Sequence, residues 1–406
     1  MKDPKQLIKS QKSFFETGKT RDISFIKGKL RRLKESIITN EDTIHQALYK
    51  DFKKPKFEAY ISEFGILISE IDIVLNNLSK WSKPKKVRAS KLNFPSKDYI
   101  YSEPYGTVLV IAPWNYPFQL AISPVISAIA AGNTVVLKPS EVSSHTAVII
   151  KTILSDIFDD AHLYVELGGV SETTTLIKER WDYIFFTGSV AVGKIIAKAA
   201  AVYLTPVTLE LGGKNPCIVD ESADIKLTAK RLVWGKFLNA GQTCIAPDYI
   251  LVNNRIKADL VQHLKTEIFK AYGENPEISP NYPRIVNAKN LQRLTAMLED
   301  AEILVGGNSN SSDNYLAPTL VDNPKLDSKL MEGEIFGPIL PVLDYQTEKD
   351  IESIVKSYEK PLGFYVFSEN KAFCNFLIQK YSFGGGAVND LSLIHISEPT
   401  RPRLIS

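Results

Sequence analysis

The segment NAGQTCIAP, Asn239 to Pro247, holds Cys244 between turn-prone residues and outside any apolar run. A thiol on such a loop can be kept as thiolate by nearby dipoles and serve as a covalent nucleophile. The plainer alternative, a cysteine packed as a small apolar residue, fits Cys217 in PCIV and Cys374 in FCNF, which lie inside apolar segments. Glu210, in TLELGGKNP, ends an apolar run and precedes two glycines. It either caps neighbouring amides or, raised in pKa by partial burial, works as a base. His45, His145, His162, His263 and His395 stand in no Cys/His motif, and no pair has metal-ligand spacing. A papain-like or zinc-based site is therefore not expected, and a base for Cys244 has to be a carboxylate.

Two further stretches bear on phosphate. FFTGSVAVGK closes a strand and opens a helix, which puts Gly188 and Ser189 at a helix N-terminus suited to an anion. Val190 occupies the place of the middle glycine in G-x-G-x-x-G, and a tight strand-to-helix turn explains the segment equally well. VVLKPSEVS sets Lys138, Ser140 and Glu141 at another strand end, where a lysine and a carboxylate can clasp ribose hydroxyls and phosphate or simply line a solvated turn.

The elements that must position these residues are legible in the rhythm of the chain. Up to about Lys80 apolar residues recur at helical spacing with charges between them, as in ISFIKGKLRRLKESIITNEDTIHQALYKDF. SKPKKVRASKLNFPSKDYIYSEPYG reads as a linker leading into an extended ribbon. After Gly106 short apolar runs alternate with helical segments, which predicts βαβ units and a largely parallel sheet, with ligands beyond the carboxyl ends of its strands. APWNYP, KPSE, TGS and ELGG all fall there. A second alternation from about Asn215 to Asp390 predicts a second α/β domain.

The bulk properties exclude several classes. With 406 residues the chain has room for two or three domains, and Lys plus Arg at 49 nearly balances Asp plus Glu at 46. No basic field points to nucleic acid. Three cysteines and a polar N-terminus without a signal-peptide core fit a cytoplasmic protein. The uncharged run Phe118 to Leu137 is long enough for a membrane span, but Pro124, Gly132-Asn133 and the β-branched TVVL predict a buried helix, a turn and a buried strand.

Taken together, APWNYP, KPSE, FTGS, LELGGKNP, GQTCIAPDYIL, EIFGPILPV and GGGAVND, in that order over about Lys5 to Asp390, resemble the aldehyde dehydrogenase superfamily, most closely its class 3 or fatty aldehyde branch. The resemblance implies an α/β fold with a Rossmann-type NAD(P)-binding domain (1–82 and 106–209), a bridging and oligomerisation ribbon (83–105) and an α/β catalytic domain (210–390). It implies oxidation of medium-chain aliphatic, fatty or aromatic aldehydes to acids with NAD or NADP, through a thiohemiacetal and a thioester on Cys244. In that scheme Glu210 activates water and Asn115 donates to the oxyanion. Lys138 and Glu141 hold the adenine ribose, Gly188 and Ser189 the pyrophosphate, and Glu334 and Phe336 the nicotinamide ribose and ring. Trp114, Ser140, Gly193 and Leu211 complete the cofactor surface, and no metal is involved. Members bind the cofactor without the middle glycine, which removes the objection raised by Val190. Tyr116 and Trp234 are aromatic candidates for the pocket wall, with core packing the favoured reading of Trp234.

After Asp390 the chain departs from the family's pattern. LSLIHISEPTRPRLIS has neither helical nor strand periodicity and resembles an in-frame translation of sequencing-adapter DNA, so 391–406 is read as an atypical, non-native tail and the fold as incomplete at its C-terminus. The expected homodimer depends on the missing part, and a membrane anchor could belong to it. Two rival activities differ in one feature each. A reductase of acyl phosphates has no use for the base Glu210, and a non-catalytic cofactor binder has no use for a reactive Cys244.

Overall fold

The computed structural model describes residues 2–391. Its N-terminal helices form because apolar residues fall on one face: in Ile23–Thr39 the buried residues are Ile26, Leu30, Leu33 and Ile37. Asp22 starts that helix, its carboxylate accepting from the N–H groups of Ser24 and Phe25. Helices Glu41–Phe52 and Gly65–Trp81 follow, with one π-helical turn at Tyr60–Phe64 before the second. Lys85–Val87 (β1) and Asp98–Ile100 (β2) pair antiparallel, Lys86 opposite Tyr99, as the expected ribbon.

Beyond Gly106 the predicted alternation is present. Thr107–Ile111 (β3), Thr134–Lys138 (β4), Leu163–Val165 (β5), Tyr183–Gly188 (β6) and Val207–Leu211 (β7) form a sheet in the order β5-β4-β3-β6-β7. β3 runs parallel to β4 and β6, and β4 to β5. Every residue of β3 and β4 is buried, as in a sheet covered on both faces. The uncharged run is the helix Gln119–Ala130, a turn and β4. No helix among the described residues is long and apolar enough to cross a membrane.

The second alternation builds Pro216–Val219 (β8), Tyr249–Asn253 (β9), Glu302–Val305 (β10), Ser309–Asn310 (β11), Tyr315–Leu316 (β12), Thr319–Asp322 (β13), Ile339–Tyr345 (β14), Gly363–Phe367 (β15) and Gly385–Val388 (β16). Seven of these make one sheet, β10-β13-β14-β9-β8-β15-β16, in which β10 alone is antiparallel to its neighbour. One of its faces shares a core with helices Ile225–Phe237 and Lys257–Tyr272 through Leu232, Phe237, Leu260 and Leu264.

By contact density the described residues form two compact units, 2–47 with Ala59–Glu210, and Leu48–Glu58 with 211–391. The ribbon clusters with the first unit. Leu48–Glu58, which the sequence reading carried with the first sheet, packs in the second, where Phe52 O accepts from Arg284 N–H and Lys53 pairs with Asp313. Apart from Leu391, the tail singled out in the sequence lies outside the described residues.

Candidate active site

In the first unit the candidate residues cluster where strands give way to helices. β3 ends at Ile111 and the chain turns through APWNYP into the helix Gln119–Ala130, with Asn115 and Tyr116 buried and Trp114 half-buried. That helix start has no Ser, Thr, Asp or Asn cap. Instead the buried carboxylate of Glu63 accepts the N–H of Phe118 at 2.8 Å and of Gln119 at 3.3 Å, satisfying two donors that a helix start leaves open.

Lys138 ends β4 with its side chain buried; Nζ donates to Pro139 O at 2.7 Å and lies 3.5 Å from Glu141 Oε2. Burial holds this ammonium below the usual lysine range, with the Glu141 carboxylate pulling the other way. Ser140 Oγ accepts from Val142 N–H, which tightens the turn. Gly188 ends β6 and Ser189 caps the helix Val190–Ala201, its Oγ accepting from Val192 N–H at 3.4 Å. Ser189 is exposed, whereas Gly193 is buried in the first turn. Glu210 and Leu211 close β7 half-buried, and burial raises the Glu210 carboxyl above the usual carboxylate range.

In the second unit the Cys244 loop leaves the helix Ile225–Phe237 through three consecutive residues in the left-handed region, Asn239 (φ 56°), Ala240 (φ 51°) and Gly241 (φ 71°). Left-handed backbone costs a non-glycine residue roughly 1–2 kcal/mol, so this turn persists only because its surroundings hold it. Gly241 is also required sterically, since a Cβ there would lie 2.3 Å from Gly337 O.

The restraints are side chains that reach main-chain atoms. Asn215 Nδ2 donates to Cys244 O at 2.7 Å and Ala246 O at 2.9 Å, and Tyr365 OH donates to Ile245 O at 2.6 Å. Gln242 Nε2 donates to Asn239 O and Arg284 O, and its Oε1 accepts Val286 N–H. Cys244 is half-buried, while Cys217 and Cys374 are buried with thiols that burial pushes up.

The segment bearing Glu334 and Phe336 is held by a buried ion pair. Lys214 Nζ lies 2.6 Å from Asp248 Oδ2 and donates to Leu330 O and Gly333 O, while Asp248 Oδ1 accepts Ile335 N–H. Gly212 has no room for a side chain, because a Cβ would come within 2.3 Å of both Glu334 carboxylate oxygens. Burial, reinforced by the Asp248 charge, pushes the Glu334 carboxyl up to about 8, against the pull of the Gly213 N–H, Lys236 and Arg293. Glu334 Oε1 is buried and has no hydrogen-bond partner among the described residues, so it fits a ligand that brings a hydroxyl donor.

Within each unit the predicted residues come together. Trp114, Asn115, Lys138, Gly188 and Glu210 follow or end the strands β3, β4, β6 and β7, which are consecutive in the sheet. Cys244, Glu334 and Phe336 belong to two loops in contact at Gly241 and Gly337. Trp234 is not in the core: it is 40% exposed, with its ring 6.2 Å from that of Phe57.

Sequence reasoning assigned nothing to Glu58, Glu63, Lys214, Asn215, Gln242 or Asp248. For Lys214 and Asp248 a signal exists, charged residues set within two positions of the apolar strands β8 and β9. Glu58 and Glu63, in KFEAYISEF, look like any acidic residue of an amphipathic helix.

The profile of the Aldehyde dehydrogenase family matches residues 2–400. The chain is 48% identical over 399 residues to 4,4'-diaponeurosporen-aldehyde dehydrogenase of Staphylococcus aureus (strain NCTC 8325 / PS 47), covering 98% of this chain and 87% of the relative. It is 41% identical over 395 residues to the dimeric NADP-preferring aldehyde dehydrogenase of Rattus norvegicus, covering 97% and 87%. Among solved structures, the substrate-bound state of Staphylococcus aureus AldH superposes with a TM-score of 0.96 at 47% identity, over 99% of this chain and 88% of that one.

Proposed function

The chain belongs to the aldehyde dehydrogenase family and oxidises aldehydes with NAD or NADP, and from that premise we propose that Cys244 is the nucleophile, Glu210 the base and Asn115 an oxyanion donor. The observation that carries this reading is the Cys244 loop, whose strained backbone is held from several sides by buried side chains while the thiol itself stays half-buried. Structural cysteines such as Cys217 receive no such loop.

A thiolate on Cys244 adds to the aldehyde carbon, and the negative charge passes to the carbonyl oxygen. Donors fixed in advance, the Asn115 amide and the Cys244 N–H, meet that charge, each worth roughly 2.7–4 kcal/mol in comparable sites. A bound nicotinamide supplies the acceptor for the hydride that leaves this carbon. The resulting thioester on Cys244 is released by water from which Glu210 takes a proton, a task that suits a carboxyl raised by burial. Because the adduct stays covalent between the two steps, the product is the acid.

The residues present fit the dinucleotide. Lys138, Ser140 and Glu141 suit the adenine ribose, and Gly188, Ser189 and Gly193 the pyrophosphate at a helix start. Glu334, with its unpartnered oxygen, and Phe336 suit the nicotinamide ribose and ring, while Trp114 and Leu211 extend the surface. A water-activating Glu210 argues against an acyl phosphate reductase. Medium-chain aliphatic, fatty or aromatic aldehydes are the substrate class; the Staphylococcus relative is named for 4,4'-diaponeurosporen-aldehyde. The exposed ribbon residues Leu92, Phe94 and Ile100 and the dimeric rat relative support a homodimer. Three cysteines, none in a disulfide, support the cytoplasm as its compartment.

The test is a stopped-flow NADH trace with a medium-chain aldehyde. Wild type gives steady turnover, Cys244→Ala gives none while still binding cofactor, and Glu210→Gln loses steady turnover after the first acylation. Turnover retained by Cys244→Ala rejects the assignment.

A further inference from the structure

Glu58 is a buried carboxylate with no role in the chemistry above. It closes the segment Leu48–Glu58 of the second unit, and its Oε2 accepts the N–H of Asn239 at 2.9 Å. Asn239 is the first of the three left-handed residues, is fully buried, and lies two residues past the end of the helix at Phe237, after Leu238, whose ψ of 136° has already left helical geometry. At that point two backbone courses compete. In one the helix continues, with the Asn239 N–H returning to the carbonyl four residues back. In the other the chain turns left-handed and this N–H leaves the helical pattern, where it needs a separate acceptor. Glu58 is that acceptor, and the choice decides where Cys244, five residues on, is presented.

We infer that Glu58 is a positioning residue for Cys244: by accepting the Asn239 N–H it holds the left-handed turn from which the thiol reaches the substrate. The restraints described above, and the Asn239 Nδ2 donation to Gln242 O at 3.1 Å, act on other atoms. Gln242, Asn215 and Tyr365 grip the loop at or after residue 239 through carbonyls and the N–H of Val286, and so leave the Asn239 N–H to another acceptor. Burial pushes the Glu58 carboxyl up to about 7, with the Asn239 N–H and Lys54 pulling it down, which fits a carboxylate kept in the interior for a specific donor. Lys54 is itself buried, its Nζ 5.1 Å from the Phe52 ring centre.

The inference rests on Cys244 as nucleophile, and the experiment separates the two. Full-length Glu58→Leu and Glu58→Gln are compared with wild type in the single-turnover acylation rate, site-resolved alkylation of Cys244 by iodoacetamide, and cofactor Kd. In Glu58→Leu acylation and alkylation fall about tenfold or more, as for a displaced reacting group, with Kd changed less than about twofold. Glu58→Gln, whose amide oxygen still accepts, recovers most of the loss. A folded Glu58→Leu that acylates and alkylates like wild type overturns the inference, as does equal damage in both variants. Should Glu58→Leu not fold, hydrogen exchange of the peptide spanning 238–243 in Glu58→Gln decides: faster than wild type supports the inference, unchanged rejects it. Turnover retained by Cys244→Ala removes the underlying reading whatever the Glu58 variants do.

Discussion

The candidate residues of the first unit sit at the carboxyl ends of β3, β4, β6 and β7, whereas in the second Cys244 precedes the amino end of β9 and Glu334 and Phe336 precede that of β14. At a carboxyl edge the chain runs from strand into helix, so unpaired N–H groups accumulate there. Most of the side chains that stabilise this edge are acceptors, Glu63 for Phe118 and Gln119, Ser140 for Val142, and Ser189 for Val192, while Lys138 donates to Pro139 O. At the amino edge many of the groups held are carbonyls, and most of the side chains donate: Asn215 to Cys244 and Ala246, Lys214 to Leu330 and Gly333, Tyr365 to Ile245 and Arg293 to Ile335, with Asp248 and Gln242 accepting the N–H groups of Ile335 and Val286. The first arrangement offers main-chain donors to an anionic ligand. The second immobilises a loop whose cysteine, Cys244, is half-buried. Glu58 is an acceptor on the donor-rich edge, and the left-handed turn at Asn239 is the reason.

Breaking the donor edge has the largest effect. Asp248→Ala leaves the Lys214 ammonium buried without its partner and frees Ile335 N–H, so stability falls by about 3–5 kcal/mol, read by urea denaturation. A loss below about 1 kcal/mol shows that Lys214 finds another anion or is hydrated. Breaking the acceptor edge costs less. Glu63→Ala orphans two helix-start donors and lowers stability by about 2–3 kcal/mol, with acylation reduced through the Asn115 turn and Cys244 alkylation unchanged. Altered Cys244 alkylation in that variant contradicts the separate support of the two edges.

The pH dependence of stability is the finest probe. Glu58 and Glu334 have carboxyls pushed up to about 7 and about 8 from an ordinary 4.5. The folded protein holds these protons more tightly than the unfolded chain. Their contribution to stability is therefore complete below pH 4.5 and is lost as pH rises through about 7 and 8. Glu58→Gln removes the Glu58 share, so its melting temperature declines less steeply than that of wild type between about pH 5 and 7. Identical slopes place the Glu58 carboxyl in the ordinary range.

How much of this was legible depended on how local each signal is. The helices of the N-terminal segment, the strands β3 to β7, β9, β13 and β14 and the loops bearing Asn115, Lys138, Gly188, Glu210 and Cys244 follow from periodicity, β-branched runs and turn residues within a dozen positions, so their places are apparent from the chain alone. Trp234 was misjudged because a helix with apolar residues on several sides does not announce which of them the core omits.

The amino-acid sequence by itself determined the βαβ order, the loop that carries Cys244 and the family, since each rests on neighbouring residues whose chemistry is intrinsic. Tertiary structure alone decided which carboxylates are buried and what they hold. Glu58 meets Asn239 across 181 positions and Glu63 meets Phe118 across 55. An acidic side chain on a helix has the same local signature whether it faces water or a buried N–H, and only packing, by removing water from one of those faces, turns it into a structural contact.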